Sequence, residues 1–498
     1  MIGHTRKAEG GMSVIPKVTW FDERTRARIV AEAVEILERI GVFVENDEAV
    51  ELLAGSGARV DAGSGRVMIP GPLVDRTLET APSRVLVYDR RGEPVMDLGG
   101  DRVHFNPGSA ALRIYDHAQR RARTPLTADL VRFATLVDAL PNYAAQSTGI
   151  VPGDVPEEIA DRYRLYVGLQ YSVKPIVTGT FKVDAFRVMH EMLSAVAGDQ
   201  DALSEKPIAI FDCCPSPPLK WSDLTCQALI DCARTGLPAE LVSMPLTGAT
   251  SPVTLAGAVT QHAAECLSGI VIHQLAAAGA PIIYGGSPAC FDMRKGTTPM
   301  GAVETMMIDG AYAEIGKHLG LPTHAYMALS DSKLVDYQAG METAMGAAVA
   351  ALSGVNNVSG PGMLDFESCQ SLEKLVLDHE IVGMALRLAK GIELRDDELA
   401  LPLIEEALGK KEFLSLPHTA KWYREEAYFP DPVIDRSTLE EWEGSGGLDA
   451  AARAAARVEK LVREHAPEPL DESVRRHIAG LMERDAKRYG MDKLPPLD

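Results

Sequence analysis

Positive charge is scarce in this sequence. Its 498 residues carry 70 Asp and Glu against 50 Lys and Arg, a formal net charge of -20. An acidic surface repels nucleic acid and anionic lipid, so neither is expected as a partner. It is compatible with a cationic small molecule, although solubility alone also explains it. Cys-x-x-Cys pairs are missing as well. The seven cysteines, Cys213, Cys214, Cys226, Cys232, Cys266, Cys290 and Cys369, are odd in number and several lie in apolar runs. A disulfide framework is therefore not expected, and a reducing cytoplasm is the simplest setting. The opening segment MIGHTRKAEGGMS has no apolar stretch of the kind that marks a secretory signal. The longest apolar run, 266–286, is broken by His273-Gln274 and Gly279-Ala280-Pro281, so it reads as helix, turn and strand, not as a membrane span.

What the sequence has is enough apolar material for a large core, at 46% of residues. Residues 21–40 set Ile29, Ala33, Ile36, Leu37 and Ile40 on one helical face. Short strands follow, with a hairpin expected in RVLVYDRRGEPVMDLGG, so 1–100 reads as an α+β subdomain. From about 103, short apolar strands alternate with helices. Strands are expected at 103–106, 143–150, 174–180, 206–213, 238–244, 280–285, 322–329 and 355–359. Several open on one device, a Pro just before the apolar run: SVKPIVTGT, SEKPIAIFD, GAPIIYGG and GLPTHAYMA. Proline suits a strand's first position, where no ladder donor is needed. Eight βα units in series predict an α/β fold, a (β/α)8 TIM barrel over 101–370, with a helical region over 371–498 packed on it. A doubly wound sheet is the alternative, disfavoured because no G-x-G-x-x-G follows the first strand.

A barrel's chemistry lies at the C-terminal ends of its strands. This places Phe105, Phe181, Tyr284 and Tyr326 as candidate aromatic walls, with Asn106 and Ser330 beside them, and Asp212 and Asp331 as acids at the rim. Aromatic faces with carboxylates suit a quaternary ammonium ion, each cation–π contact contributing roughly 0.5–2 kcal/mol. Filling of the barrel top is the plainer role for any one aromatic, and a one-residue slip would turn Tyr284 or Tyr326 outward. In LPTHAYMALSDSKLVDYQAG a strand breaks into Ser330-Asp331-Ser332-Lys333 before a helix resumes. Two readings stand. Asp331 and Lys333 work with Asp212 in a substrate chamber, or the four residues cap the helix, with Ser330 or Ser332 as N-cap.

Four stretches carry a resemblance. PLTGATSPVTLAGAVTQHAAECLSGIVIHQ (245–274), SDSKLVDYQAGMETAMGAA (330–348), SLEKLVLDHEIVGM (371–384) and FLSLPHTAKWYREEAYFP (413–430) resemble the trimethylamine methyltransferase superfamily, in the right order and over about 20–475. The resemblance implies a barrel that moves a methyl group from a methylamine to the cob(I)amide of a separate corrinoid protein. Archaeal trimethylamine enzymes of this family carry pyrrolysine, in or beside SDSKLVDY; this sequence has only standard residues. It looks like the branch without pyrrolysine, which demethylates glycine betaine and other quaternary amines such as proline betaine, carnitine and γ-butyrobetaine. A quaternary ammonium leaves as a neutral amine with no proton transfer, so positioning and desolvation suffice.

The resemblance thus implies a corrinoid-dependent quaternary-amine methyltransferase with Asp331, Lys333 and Asp212 as catalytic candidates. No tightly bound cofactor and no metal are expected, cobalamin is presented by the corrinoid-binding partner, and a homo-oligomer is expected. A substrate carboxylate would need a donor among Asn106, Lys333, His324 and Arg294. His379 stands next to Asp378, the wrong spacing for the cobalamin carrier's Asp-x-His-x-x-Gly, and is expected at the surface or as a cap. In SLPHTAKWYREE, Thr419 is a candidate N-cap. Two alternatives remain: a zinc-dependent methyltransferase with a thiol acceptor, resting on Cys213-Cys214, and a betaine-binding barrel without catalysis.

Overall fold

The computed structural model of the chain describes residues 15–395 and 399–497. The amino-terminal segment read as lacking a signal lies outside them. Eight parallel strands follow one another around a barrel: β1 His104–Asn106, β2 Gln146–Ser147, β3 Ile176–Gly179, β4 Ala209–Cys213, β5 Ala239–Leu241, β6 Ile282–Gly286, β7 Thr323–Tyr326 and β8 Asn357–Ser359. Seven lie within an expected strand, and β6 runs one residue past its expected end, to Gly286. The ring closes where Phe105 bridges Tyr143 in parallel register.

The helices that follow are α1 Thr127–Asp138, α2 Ala160–Tyr171, α3 Ala185–Ala197, α4 Asp223–Thr235, α5 Leu255–Ala276, α6 Val303–His318, α7 Tyr337–Ser353 and α8 Leu372–Lys390. The last packs against both α7 and α1. It therefore completes the helical ring, whereas the sequence division at 370 assigned it to the tail. Helix α5 is long and apolar enough to span a membrane, but 83% of its apolar window is buried in the fold, where it serves as a core helix.

Local chemistry explains these boundaries. Pro175, Pro207, Pro281 and Pro322 stand just before β3, β4, β6 and β7. A proline there gives up no ladder bond, and its carbonyl still accepts one. Pro322 O takes the N–H of Tyr284, and Pro281 O that of Ala239. Gly320, at φ 76°, ends α6 in the left-handed conformation that favours glycine.

Outside the ring, the helix Glu23–Arg39 buries Ile29, Ala33 and Leu37 and packs on α5, while Ile40 is exposed. The expected hairpin forms from Val85–Tyr88 and Pro94–Leu98. Its Val85, Val87, Met96 and Leu98 pack with Ala145, Val177, Ile210 and Ile283 at the N-terminal ends of β2, β3, β4 and β6. This closes the barrel floor with apolar side chains.

The helix Ala450–Glu464 buries Ala454 and Val458 against α8 and α1, as a packing helix. The helix Glu472–Arg488 packs on α2 and α3. There Asp485 pairs with the fully buried Arg162, which also meets Asp161 at 3.2 Å. Thr419 is not a cap: its helix, Pro417–Glu426, starts after Leu416, and the Thr419 hydroxyl donates to Phe413 O. Arg162 would keep Asp161 and the more distant Asp184, so Asp485→Ala is expected to lower unfolding free energy by about 1.5–3 kcal/mol, the range for a lost hydrogen bond to a charged group. Denaturant titration checks this; a loss under about 1 kcal/mol would show the pair to be dispensable.

Candidate functional site

Alternation along the strands sorts the bore from the helix-facing layer. Asp212, Glu240, His324, Tyr326, Asn357, Ser359 and Asn106 turn inward and bond to one another across the barrel. Asn357 donates to Glu240 at 2.7 Å, Asn106 to Asn357 at 2.7 Å, and Ser359 to Asn106 at 3.0 Å. His324 Nε2 lies 3.2 Å from Glu240 Oε1. Burial lowers the His324 pKa to about 3 and holds Glu240 well above the carboxylate range, with Asp212 adding to the latter. With both groups fully buried, this is a neutral contact and not an ion pair. Above it, the Tyr326 hydroxyl donates to Asp212 at 3.2 Å. Burial lifts Asp212 to about 6, and its Oδ1 has no partner.

Two expected wall residues are elsewhere. Tyr284 points out of the bore, into the layer between strand and helices, with its ring 5.3 Å from that of His262 on α5 and 6.4 Å from that of Tyr312 on α6. Phe105 alternates with the inward Asn106 and so faces the helices, fully buried in the main core. The physical reason is the period of two. Tyr326 takes the opposite parity to Tyr284 in its own strand and remains in the bore.

Phe181, just past β3, is held by its backbone: its N–H donates to Asp161 Oδ2 at 2.6 Å. Its ring carries the guanidinium of Arg164, with Cζ 4.5 Å from the centroid. Arg164 is fully buried and donates to Thr148 O at 2.6 Å. Burial lowers its pKa to about 10, against the pull of Asp161, Tyr326 and Asp212. Sequence reasoning missed Arg164, Glu240, Asp309 and Glu367. The signals present were a lone Glu inside the apolar run of β5 and three charged residues in a helix buried on every side.

The Ser330–Lys333 turn folds largely on itself and its neighbours. Ser330 donates to Glu342 Oε2 on α7, as does the Asp331 N–H. Ser332 donates to Asp336, and Asp336, not either serine, is the N-cap of α7. Asp331 accepts the N–H groups of Met300 and Gly301 at 2.9 and 3.0 Å, just ahead of α6. Burial nonetheless raises its pKa to about 6. Lys333 reaches neither carboxylate named for it. Its ammonium donates to Asp331 O at 2.7 Å, lies 3.3 Å from Asp365 and sits 3.8 Å over the Phe366 ring.

The segment it touches is unusual. Asp365, Phe366 and Glu367 have φ of 52°, 55° and 67° in succession. Left-handed non-glycine residues cost about 1–3 kcal/mol each. Burial, with Asp331 and Asp212 nearby, pushes the Glu367 carboxyl to about 8, and its Oε1 has no partner. Asp309 of α6 is also buried without a partner and is raised by burial and by Glu367. The mouth thus gathers Asp212, Asp331, Glu367 and Asp309; among the described residues the buried Arg164 answers Asp212, and the exposed Lys333 answers Asp331.

A family model described as trimethylamine methyltransferase matches residues 4–490. The chain belongs to the trimethylamine methyltransferase family. It is 30% identical to a trimethylamine methyltransferase of Desulfitobacterium hafniense, with 95% of each chain covered. It is 32% identical to one of Methanosarcina mazei, over 91% of this chain and 92% of that one. A glycine betaine methyltransferase of Desulfitobacterium hafniense is 30% identical, over 96% of this chain and 99% of that one. The crystal structure of the Methanosarcina barkeri monomethylamine methyltransferase aligns at a TM-score of 0.50 with 10% identity, over 96% of each chain, a likeness of fold. Within this family fold the remaining candidates sort as follows. Arg294 is exposed and paired to Asp292, so it lies outside the bore. His379 is neither at the surface nor a cap: it is buried, and its Nε2 accepts the Asn142 N–H at 3.1 Å. Cys213 faces Cys232 of α4 while Cys214 lies on the Asp212 side, and burial holds both thiols well above their ordinary range. Two thiols on opposite faces do not make a common metal site.

Carboxyls whose folded pKa is raised bind more protons folded than unfolded, so their stabilising protonated form is lost as pH rises. Asp212 and Asp331, moved from 3.8 to about 6, and Glu367, moved from 4.5 to about 8, set the window. The ligand-free protein is expected to lose melting temperature between about pH 4 and 8, and Glu367→Gln to flatten the upper half of that fall. Calorimetric scans across this range check it; identical profiles for the two proteins would refute the assignment.

Proposed function

We propose that the protein transfers a methyl group from a quaternary amine to the reduced corrinoid of a separate corrinoid-binding protein. The observation that carries this reading is the excess of desolvated carboxyls at the barrel mouth. Asp212, Asp331 and Glu367 lie where barrel enzymes bind substrate, opposite one buried guanidinium. A fixed cation relieves such a site, whereas an anionic or neutral substrate does not. Membership of the family supports methyl transfer, and the glycine betaine relative supports a quaternary substrate.

The residues divide the work. Tyr326 and Phe181 offer aromatic surface to the methyl groups. Asp212, fixed by Tyr326, faces the positive nitrogen. Arg164 holds Phe181 in place and limits the repulsion among the acids. It is also the donor best placed to meet a substrate carboxylate, in preference to Arg294 or the neutral His324. The closed, apolar floor leaves the mouth as the route in.

The corrinoid supplies the nucleophile that accepts the methyl group. The loops above the strands expose Leu112, Val183, Met244 and Met293, a rim suited to cover by a partner domain. In-line attack releases a neutral amine, so no side chain here is asked to move a proton.

Anaerobic mixing with cob(I)alamin or a corrinoid protein, and with glycine betaine, proline betaine, carnitine, γ-butyrobetaine, choline and trimethylamine in turn, tests the reading through the cob(I) absorbance. Conversion with a quaternary amine and none with trimethylamine is expected. Asp212→Asn should lower kcat/KM by about 100-fold or more, the usual loss when a preorganised charge contact is removed. Preference for trimethylamine, or an unimpaired Asp212→Asn protein, would overturn it.

A further inference from the structure

We propose that the strap Asp365–Phe366–Glu367 reads the positive charge of the substrate, with Glu367 as a second carboxylate that joins Asp212 in pairing with the quaternary ammonium and Lys333 as the residue that positions it. The inference rests on the functional reading above and names a specificity residue within it. Three independent features converge on the strap. Its three residues hold left-handed φ angles that side chains other than glycine disfavour. Such strain persists where surrounding contacts impose it. Those contacts include the Asp365 N–H on Ser332 O at 3.0 Å and Lys333, whose ammonium bonds Asp331 O at 2.7 Å, pairs with Asp365 at 3.3 Å and covers the Phe366 ring at 3.8 Å. Their effect is to turn Glu367 inward, where Oε1 is sealed from bulk water with no hydrogen-bond partner.

The groups around Glu367 come from four elements. Asp212 rises from β4, and Tyr326 from β7. Asp331 lies in the turn after β7, and Asp309, 1% exposed with neither oxygen partnered, comes from α6. Arg164 of α2 answers Asp212. Lys333 is engaged by Asp331 O, by the Asp365 carboxylate and by the Phe366 ring. A carboxyl in this company carries a proton near neutral pH. A quaternary ammonium, which cannot give up its charge, replaces that proton. Cation binding is therefore coupled to proton release, and the strap discriminates a charged head from an uncharged one of the same shape.

The test compares binding of glycine betaine with that of 3,3-dimethylbutanoate, in which a tert-butyl group replaces the trimethylammonium. Titration calorimetry in buffers of different ionisation heat also counts protons released. The wild-type protein is expected to prefer the cation and to release protons near pH 7. Glu367→Gln should cut that preference by about tenfold or more and reduce the proton release. Lys333→Met, a change at a mostly exposed side chain, should lower the preference in part, and Lys333→Arg should restore it. Lys333→Met carries the test if Glu367→Gln does not fold. A wild-type preference that survives Glu367→Gln and Lys333→Met overturns the role of the strap and leaves the functional reading standing. A wild-type protein that shows no preference for the cation overturns both.

Discussion

The site depends on one electrostatic constraint: carboxyl groups taken out of water with too few cations to answer them. A desolvated carboxylate stays charged beside a cation or takes up a proton. Glu240 meets the constraint in part, with Asn357 on one oxygen and the neutral His324 beside the other, which has no hydrogen-bond partner, deep in the bore. Asp212 and Asp331 meet it in part, through Tyr326 and through two backbone N–H groups ahead of α6. Glu367 and Asp309 leave oxygens without partners. Unpartnered carboxyl oxygens thus extend from Glu240 in the bore to the mouth, the direction from which a substrate comes.

The fold makes this arrangement possible. The hairpin Val85–Tyr88 with Pro94–Leu98 packs four apolar side chains under the strands, so water is kept from the lower bore. The middle layer then bonds to itself across the barrel, which satisfies Asn106, Asn357 and Ser359 without solvent. Those residues are poor candidates for gripping a ligand, because their donors and acceptors are already used. The groups left free stand higher, on strand ends and loops, as in other barrels.

The architecture was legible because it repeats. Proline at strand starts, a glycine such as Gly320 after a helix and alternating apolar runs each fix local geometry, and eight copies of one unit leave little choice of topology. The site was legible only in part. Asp212 and Tyr326 lie on the inward parity of β4 and β7, and Phe181 follows β3, while Tyr284 and Phe105 have the outward parity, which a one-residue uncertainty in strand register conceals. Lys333 was visible as a charge near Asp331, yet its partners Asp365 and Phe366 lie more than thirty residues away in sequence. Glu367 gave no local signal: three successive left-handed residues without a glycine follow no propensity and exist because tertiary contacts impose them.

The same logic explains why the distant C-terminal helix bears on the barrel mouth. Asp485 pairs with Arg162, and Arg162 meets Asp161 within α2. Asp161 in turn accepts the Phe181 N–H, and the Phe181 ring supports the guanidinium of Arg164. Each link joins buried or half-buried groups, so none can relax into water at low cost. A cation placed by such a chain is held in one position, and its charge is felt by Asp212 and Tyr326 without reorganisation. The tail therefore acts as an outer support for the site, fixing the buried positive charge that answers Asp212.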